Sequence, residues 1–312
     1  MNREIKQTFA IMGSGGMGGY IGAKLHQAGY EVSFVARGAH LEAMIRSGLQ
    51  IEEPGEEFVI HPIKVTAVPD EIGEVDYVIF AVKLWDTETA AEQCRGLLGS
   101  ETAVLSMQNG VDPEPILSNI LGSSHVMGAV AEVGANIVQP GFIRRYSPQA
   151  SLRFGELDQS HSPRASRFKE AVATIGFEAD HAKNINVTIW DKFLFLAATS
   201  AVNCVTGQPI GVLREDPDTR DLLRQLMEEV MAIANAKGVP LAEKNIQARL
   251  DWVDALPKAA NLSMAVDLQR GNRLELPWLS GTVIRMGREL NIPTPANSFV
   301  FTALKHRVDG DD

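Results

Sequence analysis

The sequence predicts an α/β protein: an N-terminal doubly wound sheet of the Rossmann type followed by an all-helical C-terminal domain. Three observations support this prediction. A glycine-rich turn joins an apolar strand to a helix near the N-terminus, apolar strands alternate with helices after it, and the later part of the chain has helical patterns only. The change of pattern near residue 184 predicts a boundary between a first domain over 1–183 and a helical domain over 184–312.

Composition narrows the class of protein. The 312 residues suffice for about two domains, and 45% hydrophobic with 22% charged residues is typical of a globular protein. The net charge of −10 argues against a nucleic-acid or an anionic-membrane surface. Two isolated cysteines, no signal-peptide core and no apolar run of membrane-spanning length together predict a cytoplasmic protein with no metal site and no membrane partner.

The glycine-rich turn has the pattern G-x-G-x-x-G, formed by Gly13, Gly15 and Gly18. The apolar run at 9–12 is typical of a buried parallel strand, and apolar residues recur at helical spacing behind the turn until Gly29. The first glycine permits the tight turn, the second lets a pyrophosphate approach the backbone, and the third lets the helix lie close to the sheet. The alternative is a glycine-rich turn that binds no ligand.

The second strand, at 31–36, bears on which dinucleotide is bound. An NAD site requires an acid at the end of this strand to hold the ribose 2′-hydroxyl, and here that position is Arg37. Glu31 is the nearest acid, but it lies at the opposite end of the strand. Because a guanidinium suits a 2′-phosphate, the sequence favours NADP over NAD, the alternative being that Arg37 is a plain surface residue.

The remaining elements of the first domain follow in order. A short helix at 39–48 precedes a strand-like stretch at 49–68, broken by a Pro-Gly pair and expected to form a hairpin or edge. Buried strands at 75–83 and 102–107 end at Lys83 and before Asn109, with a helix at 86–98 between them and another beginning at Asp112-Pro113. Because ligands bind at the carboxyl ends of parallel strands, Arg37, Lys83 and Asn109 are expected on the rim that holds the glycine turn.

From about 125 the pattern changes twice. Strands at 126–133, 142–146 and 151–154 are expected to pair antiparallel, and a helix at 162–176 and a strand at 177–180 follow. The rest is predicted to be helical, over 185–205, 216–238, 241–256, 262–269, 278–290 and 296–308.

Polar residues in the helical half are candidates for chemistry. Lys192 lies among large apolar residues, and such a lysine is either a surface side chain with a buried stem or a desolvated functional group. Ser263, Asp267 and Glu275 lie around a glycine turn, where helix capping and surface positions are the simpler interpretation.

The chain resembles the ketopantoate reductase (2-dehydropantoate 2-reductase) family over essentially its whole length. The resemblance rests on Gly13-Ser14-Gly15-Gly16-Met17-Gly18, Arg37-Gly38, Val82-Lys83, Gln108-Asn109-Gly110, Trp190-Asp191-Lys192, and Ser263-Met264 followed by Glu275. It implies an NADPH-dependent reductase of a 2-keto acid, in which residues 1–183 bind NADP and the helical residues 184–312 form the substrate-binding and catalytic domain. The active site is expected in the cleft between the two domains. The expected reaction is the reduction of 2-dehydropantoate to pantoate, which is a step of pantothenate biosynthesis.

The resemblance also implies roles for residues. Lys192 would be the general acid that protonates the carbonyl oxygen, and Glu275 would bind the substrate hydroxyl. Asn109 would orient substrate and cofactor, and Ser263 would contact the substrate carboxylate. The expected cofactor residues are Gly13, Ser14, Gly15, Gly16, Met17, Gly18, Arg37, Lys83, Asn109 and Glu275.

Three substrate-pocket positions depart from the family pattern. The family has asparagines where this chain has Leu196, Ser200 and Ile210, and its Glu-Ile-Asp is here Glu275-Leu276-Pro277. Because a missing partner costs a buried polar group about 1–3 kcal/mol, a less polar keto acid or ketone is an alternative substrate.

Two further alternatives concern the class of function. One is a non-enzymatic NADP-binding sensor, which would not need the pair Lys192 and Glu275. A nucleic-acid-binding module is disfavoured by the negative charge. The expected partner is therefore a small keto acid, and the helical half is large enough to form a homodimer interface.

Overall fold

The computed structural model describes residues 7–147 and 150–310. They form two compact units. The first contains the chain up to Gln108 together with Pro113–Ile185, and the second contains Asn109–Asp112 together with the chain from Asn186 onward. The second unit thus includes a short segment far from the rest of it in sequence, which the sequence analysis did not anticipate. The assignment of the two parts to cofactor and to substrate stays a prediction.

The strands all belong to the first unit. Those in the described residues are β1 (Thr8–Met12), β2 (Glu31–Val35), β3 (Leu49–Glu53), β4 (Glu56–Ile60), β5 (Lys64–Thr66), β6 (Val75–Phe80), β7 (Leu98–Ser106), β8 (Val126–Glu132), β9 (Ala135–Gln139), β10 (Phe142–Arg145), β11 (Ser151–Glu156) and β12 (Glu178–His181).

The helices fall in both units. The first unit has α1 (Gly16–Gln27), α2 (Gly38–Ser47), α3 (Thr87–Gln93), α4 (Pro113–Leu121) and α5 (Pro163–Thr174). The long α6 (Ile185–Thr206) leads into α7 (Ile210–Glu215), α8 (Pro217–Ala236), α9 (Glu243–Ala255), α10 (Ser263–Gln269), α11 (Ser280–Leu290) and α12 (Pro295–Leu304). Among these helices only the short α7 was not predicted from the sequence, and α3 is about one turn shorter than predicted.

The main sheet confirms the predicted fold class. Its strand order is β12-β11-β8-β7-β6-β1-β2-β5. The six neighbouring strands β8, β7, β6, β1, β2 and β5 are all parallel. The chain moves outward in one direction from β1 to β2 and in the other from β1 to β6, so β1 is the point at which the strand order reverses. In such sheets the ligand crevice lies at this point, beyond the carboxyl ends of the strands.

Two predictions about the later strands need correction. The strand at 126–133 was expected in an antiparallel set, but β8 pairs parallel with β7 and antiparallel only with β11. The strand at 142–146 is not part of that sheet. It is β10, which joins β9, β3 and β4 in a separate sheet of order β4-β3-β10-β9. β9 was missed because most of its residues are exposed, so it has no buried alternation to reveal it.

The second sheet is fastened to α1 by a buried charge cluster. The Glu53 carboxylate of β3 accepts hydrogen bonds from Tyr20 and from Lys24 (2.7 Å), both on α1, and from Arg145 of β10 (3.1 Å). Burial alone would raise the pKa of Glu53, but the hydrogen bonds and the two cations outweigh it and lower that pKa. Because removing one partner of a buried ion pair costs about 3–5 kcal/mol, this cluster fixes the sheet against the helix.

The helix α6 is the longest helix in the described residues and is rich in apolar side chains. It was expected to fall short of a membrane span, but its 22 residues are long and apolar enough for one by length and composition. In this structure 67% of its most apolar window is buried inside the protein, which is typical of a core helix.

Candidate functional site

The glycine turn connects β1 to α1 at the point of strand reversal. Gly13 has a φ of +96°, in the left-handed region that favours glycine, and a Cβ there would lie 2.8 Å from the Val82 backbone nitrogen. Gly15 differs, because nothing lies within 4 Å of the Cβ it would carry. Gly15 is also the residue from which α1 begins, so the free N–H groups of the helix start face this open space.

Two further glycines let α1 approach its neighbours. A Cβ on Gly18 would lie 2.3 Å from the Gly13 carbonyl oxygen, and a Cβ on Gly16 would lie 2.3 Å from the Ala135 carbonyl oxygen of β9. The first contact is the close packing expected of the motif's third glycine. The second was not expected, because the strand at 135–139 had not been predicted.

Ser14 connects the glycine turn to the second strand. Its backbone N–H and its side-chain hydroxyl both donate to the Val35 carbonyl oxygen, at 3.0 and 2.9 Å. Because the Ser14 side chain is buried, its hydrogen bond holds the glycine turn beside the end of β2.

A cleft of about 380 Å³ opens above this turn. Gly13, Ser14 and Gly15 line it, together with Arg37 and Lys83, so five of the predicted cofactor residues share one cavity. Gly16, Met17 and Gly18 lie just behind it in the first turn of α1. Arg37 extends into solvent with its side chain 80% exposed, and Lys83 lies with its Nζ 5.5 Å from the centre of the Trp85 ring.

Several residues of the cleft were not identified from the sequence. Asp86 lines it and forms an ion pair with Arg37. Ile137 of β9 lines it as an exposed apolar side chain, and His40 of α2 lines it as a half-buried imidazole. Asp86 could have been suspected from its position three residues after Lys83, whereas Ile137 depends on a strand with no sequence signal.

His40 links the cleft to the second sheet. Its Nδ1 accepts a hydrogen bond from the Gly141 backbone N–H (3.1 Å), so the imidazole is neutral with its proton on Nε2. Burial lowers the pKa of His40, and the neighbouring Ser14 backbone acts in the opposite direction with a smaller effect. Protonation of Nδ1 would break the contact with Gly141 and place a cation in the cleft.

The cleft fits a dinucleotide. A turn with open space above Gly15, a helix N-terminus of a 12-residue helix and an exposed guanidinium are the features that a pyrophosphate and a phosphorylated ribose require. In the first unit Gly13, Ser14, Gly15 and Gly16 would hold the pyrophosphate, and Arg37 would face a 2′-phosphate.

In the second unit, two predicted site residues meet. The Asn109 side-chain amide donates to the Glu275 carboxylate at 3.3 Å, across 166 positions of sequence. Glu275 is only 9% exposed and stands just before a short helical turn at Leu276–Trp278. Asn109 was expected at a strand end of the main sheet, but the structure groups it with the helical unit.

The segment that carries Asn109 is held by α11. Asp112 accepts hydrogen bonds from the Thr282 hydroxyl and from the Arg285 guanidinium (2.6 Å). These bonds fix the segment three residues after Asn109, which explains how a distant stretch of chain presents an amide to Glu275.

Lys192, Leu196 and Ser200 follow one face of α6, since residues four apart in a helix lie above one another. Lys192 is half-buried, Leu196 is 8% exposed, and Ser200 is fully buried. The Ser200 hydroxyl has no hydrogen-bond partner within residues 7–147 and 150–310, and it has no free surface for a ligand in this conformation.

A buried ion pair fixes the same helix beside Lys192. Asp191 accepts from Arg249 Nε (2.9 Å) and Nη2, and from the Asn245 side chain (3.0 Å), all on α9. Arg249 is 5% exposed and stacks over the rings of Phe195 and Trp252. These bonds hold α6 against α9.

The other two predicted substrate residues lie in different surroundings. Ser263 begins α10 and is exposed, whereas Ile210 begins α7 and is fully buried, with its backbone N–H donating to the Ala260 carbonyl oxygen (3.0 Å). Asn203 of α6 was missed by the sequence analysis. Its side chain bonds to Asn261 (2.9 Å) and to the Leu262 backbone N–H (2.8 Å), so it holds the start of α10 beside α6.

Comparison with known proteins identifies the family. Residues 9–159 match the model of ketopantoate reductase PanE/ApbA, and residues 184–308 match that of its C-terminal domain. The chain is 31% identical to a 2-dehydropantoate 2-reductase from Mesorhizobium japonicum, over 95% of this chain and 96% of the relative. It is 29% identical to one from Archaeoglobus fulgidus, over 93% and 94%.

A solved structure agrees. The PanE/ApbA family ketopantoate reductase from Ralstonia eutropha JMP134 superposes with a TM-score of 0.88 at 30% identity, covering 96% of this chain and 98% of the other. The chain therefore belongs to the ketopantoate reductase family, whose cofactor is NADP(H), and it is an oxidoreductase acting on CH–OH groups. This favours the catalytic interpretation over the non-enzymatic sensor.

Two glycines of the turn provide a matched pair of variants. Gly15→Ala should fold as the wild type but bind NADPH more weakly, because the methyl group enters open space that the pyrophosphate would occupy. Gly16→Ala should lower the free energy of unfolding by about 1–3 kcal/mol, since its methyl group meets the Ala135 carbonyl oxygen. Denaturant unfolding and NADPH titration measure the two effects, and equal stability of the two variants would contradict the assignment.

His40 should make stability depend on pH. Folding lowers the His40 pKa, so the unfolded chain binds more protons than the folded protein as the pH falls. The contribution of neutral His40 to the free energy of unfolding is therefore complete above the ordinary histidine pKa of about 6.5, and it is lost as the pH falls below that value. His40→Asn, which retains an acceptor for Gly141, should lose about 1–2 °C less in melting temperature than the wild type between about pH 8 and 5. Parallel pH profiles of the two proteins would exclude this role.

Proposed function

We propose that this protein reduces 2-dehydropantoate to pantoate with NADPH, as a step of pantothenate biosynthesis in the cytoplasm. Support comes from relatives of that name at 31% and 29% identity, which match almost end to end. The observation on which the proposal mainly rests is the hydrogen bond between Asn109 and Glu275, because it unites two residues of separate family motifs.

The first unit would bind the cofactor. NADPH, when bound, supplies a hydride to the carbonyl carbon of the substrate. The glycine turn and the start of α1 would hold the pyrophosphate through backbone N–H groups, and Arg37 would pair with the 2′-phosphate. Lys83 adds a second cation to the same cleft, which offsets locally the net charge of −10.

The second unit would bind and protonate the keto acid. As hydride reaches the carbonyl carbon, negative charge develops on the carbonyl oxygen, and an ammonium group at hydrogen-bond distance stabilises that charge and donates a proton. We assign this role to Lys192, whose helix is held by the Asp191–Arg249 pair. Glu275 would accept a hydrogen bond from a substrate hydroxyl, while the Asn109 amide orients the Glu275 carboxylate. Ser263 would donate to the substrate carboxylate, and it is exposed at the start of α10.

The alternative substrate is a less polar 2-keto acid or ketone. Leu196 and Ile210 supply no hydrogen bonds where the family pattern has asparagines, and the Ser200 hydroxyl is enclosed. Contact with Leu196 would favour an apolar side chain on the keto acid, because an unpaired substrate hydroxyl costs about 1–3 kcal/mol on burial.

The cytoplasmic assignment is supported by the cysteines. Cys94 and Cys204 are both free and buried, and burial raises the pKa of each thiol to about 12. Such thiols are unreactive and need no oxidising compartment. Assembly as a homodimer stays a prediction.

The substrate is tested by NADPH oxidation with the purified protein. We expect kcat/KM for 2-dehydropantoate to exceed that for a panel of apolar 2-keto acids and ketones. The variant Leu196→Asn, which restores one family asparagine, should then raise that value or leave it unchanged. A clear preference for an apolar 2-keto acid, lost in Leu196→Asn, would refute 2-dehydropantoate and support the alternative.

The role of Lys192 is tested by substitution. Lys192→Ala should lower kcat by about 10²- to 10⁴-fold, because the developing charge loses its proton donor, while the Kd for NADPH changes little. Lys237→Ala, at an exposed position after α8, is the matched control and should behave as the wild type. Turnover of Lys192→Ala within a few fold of the control would eliminate the general-acid assignment.

A further inference from the structure

The cofactor cleft contains an acid that the second strand lacks. Asp86 ends a short helical turn at Leu84–Asp86, after β6, and its carboxylate forms an ion pair with the Arg37 guanidinium. Both residues line the cleft. The Arg37 side chain is 80% exposed and that of Asp86 is 25% exposed, so the pair lies at the solvent edge of the cleft.

The two side chains suit different coenzymes. In dinucleotide-binding folds a carboxylate accepts the ribose 2′-hydroxyl of NAD, whereas an arginine accommodates the 2′-phosphate of NADP. Such a site typically has one of these two residues, either the acid or the arginine, near the end of the second strand. This cleft places one of each within contact distance, with the arginine from the turn between β2 and α2 and the acid from the segment after β6.

The ion pair affects the coenzymes in opposite directions. A 2′-phosphate must share or displace the carboxylate that already occupies Arg37, and the two negative groups repel each other. An unphosphorylated ribose has no such conflict, because its 2′-hydroxyl can donate to the Asp86 carboxylate while Arg37 remains paired.

We propose that Asp86 determines coenzyme selectivity in this protein. Through its pair with Arg37 it weakens binding of NADPH and provides the acceptor for the ribose of NADH, so that the cleft binds both coenzymes. This inference rests on the proposed function only in taking the cleft as the dinucleotide site.

The test is a measurement of Kd, without substrate, for NADPH and NADH with purified wild type and Asp86→Asn. We expect the variant to bind NADPH about three- to fivefold more tightly, in line with an exposed ion pair, and NADH about tenfold more weakly, because a bond to a charged acceptor is lost. Asp86 forms no side-chain cap bond at the start of α3, so the substitution should leave the fold intact, as the melting temperature will show.

Two further variants sharpen the result. Glu88→Gln, an exposed acid two residues later and outside the cleft lining, should leave both Kd values unchanged. Arg37→Ala should weaken the binding of NADPH. When Asp86→Asn is added to Arg37→Ala, it should tighten NADPH binding less than it does in the wild type, because the carboxylate acts through the arginine. Equal tightening in both backgrounds would overturn that part of the proposal.

The outcomes separate the two levels of the argument. If wild type binds neither coenzyme, the cleft is not a dinucleotide site and the proposed function fails with it. If wild type binds and oxidises NADPH but Asp86→Asn changes both Kd values in the same direction or neither, only the role of Asp86 is refuted.

Discussion

The close approach of α1 to the strands around it is the constraint on which the cleft above the glycine turn depends. Gly13, Gly16 and Gly18 each stand where a Cβ would meet backbone atoms within 3 Å, so the helix start can lie against β1, β6 and β9 only without side chains. Gly15 is the one motif glycine that faces open space. The turn and the helix start therefore combine three glycines required for packing with one, Gly15, that leaves room for a ligand, and the helix N-terminus is directed at that room.

The second sheet strengthens this arrangement in a way that the doubly wound sheet alone would not. The Glu53 cluster ties β3 and β10 to α1, and His40 ties α2 to the turn before β10. As a result, Ile137 of β9 forms part of the cleft wall. The proposed cofactor cleft is thus lined by residues from both sheets of the first unit, and its charged edge consists of Arg37, Asp86 and Lys83.

In the helical unit, polar groups are organised around a helix that is otherwise apolar. Asp191 and Asn203, both on α6, bind α9 and the start of α10 to this helix. The segment at 109–112 is held by Arg285 and contributes the amide that meets Glu275. Networks whose polar groups have their partners, as these do, hold neighbouring side chains in place at little cost.

The sequence by itself determined the fold class, the glycine turn, most helices and the position of Arg37, because these depend on local patterns: apolar periodicity, glycine spacing and capping residues. It could not determine the second sheet, since β9 has no buried alternation and β10 pairs with a strand about 90 residues earlier, as its register with β3 shows. Nor could it bring Asp86 to Arg37 or Asn109 to Glu275. Those contacts join residues far apart in the chain, and only tertiary packing decides which side chains share a cleft.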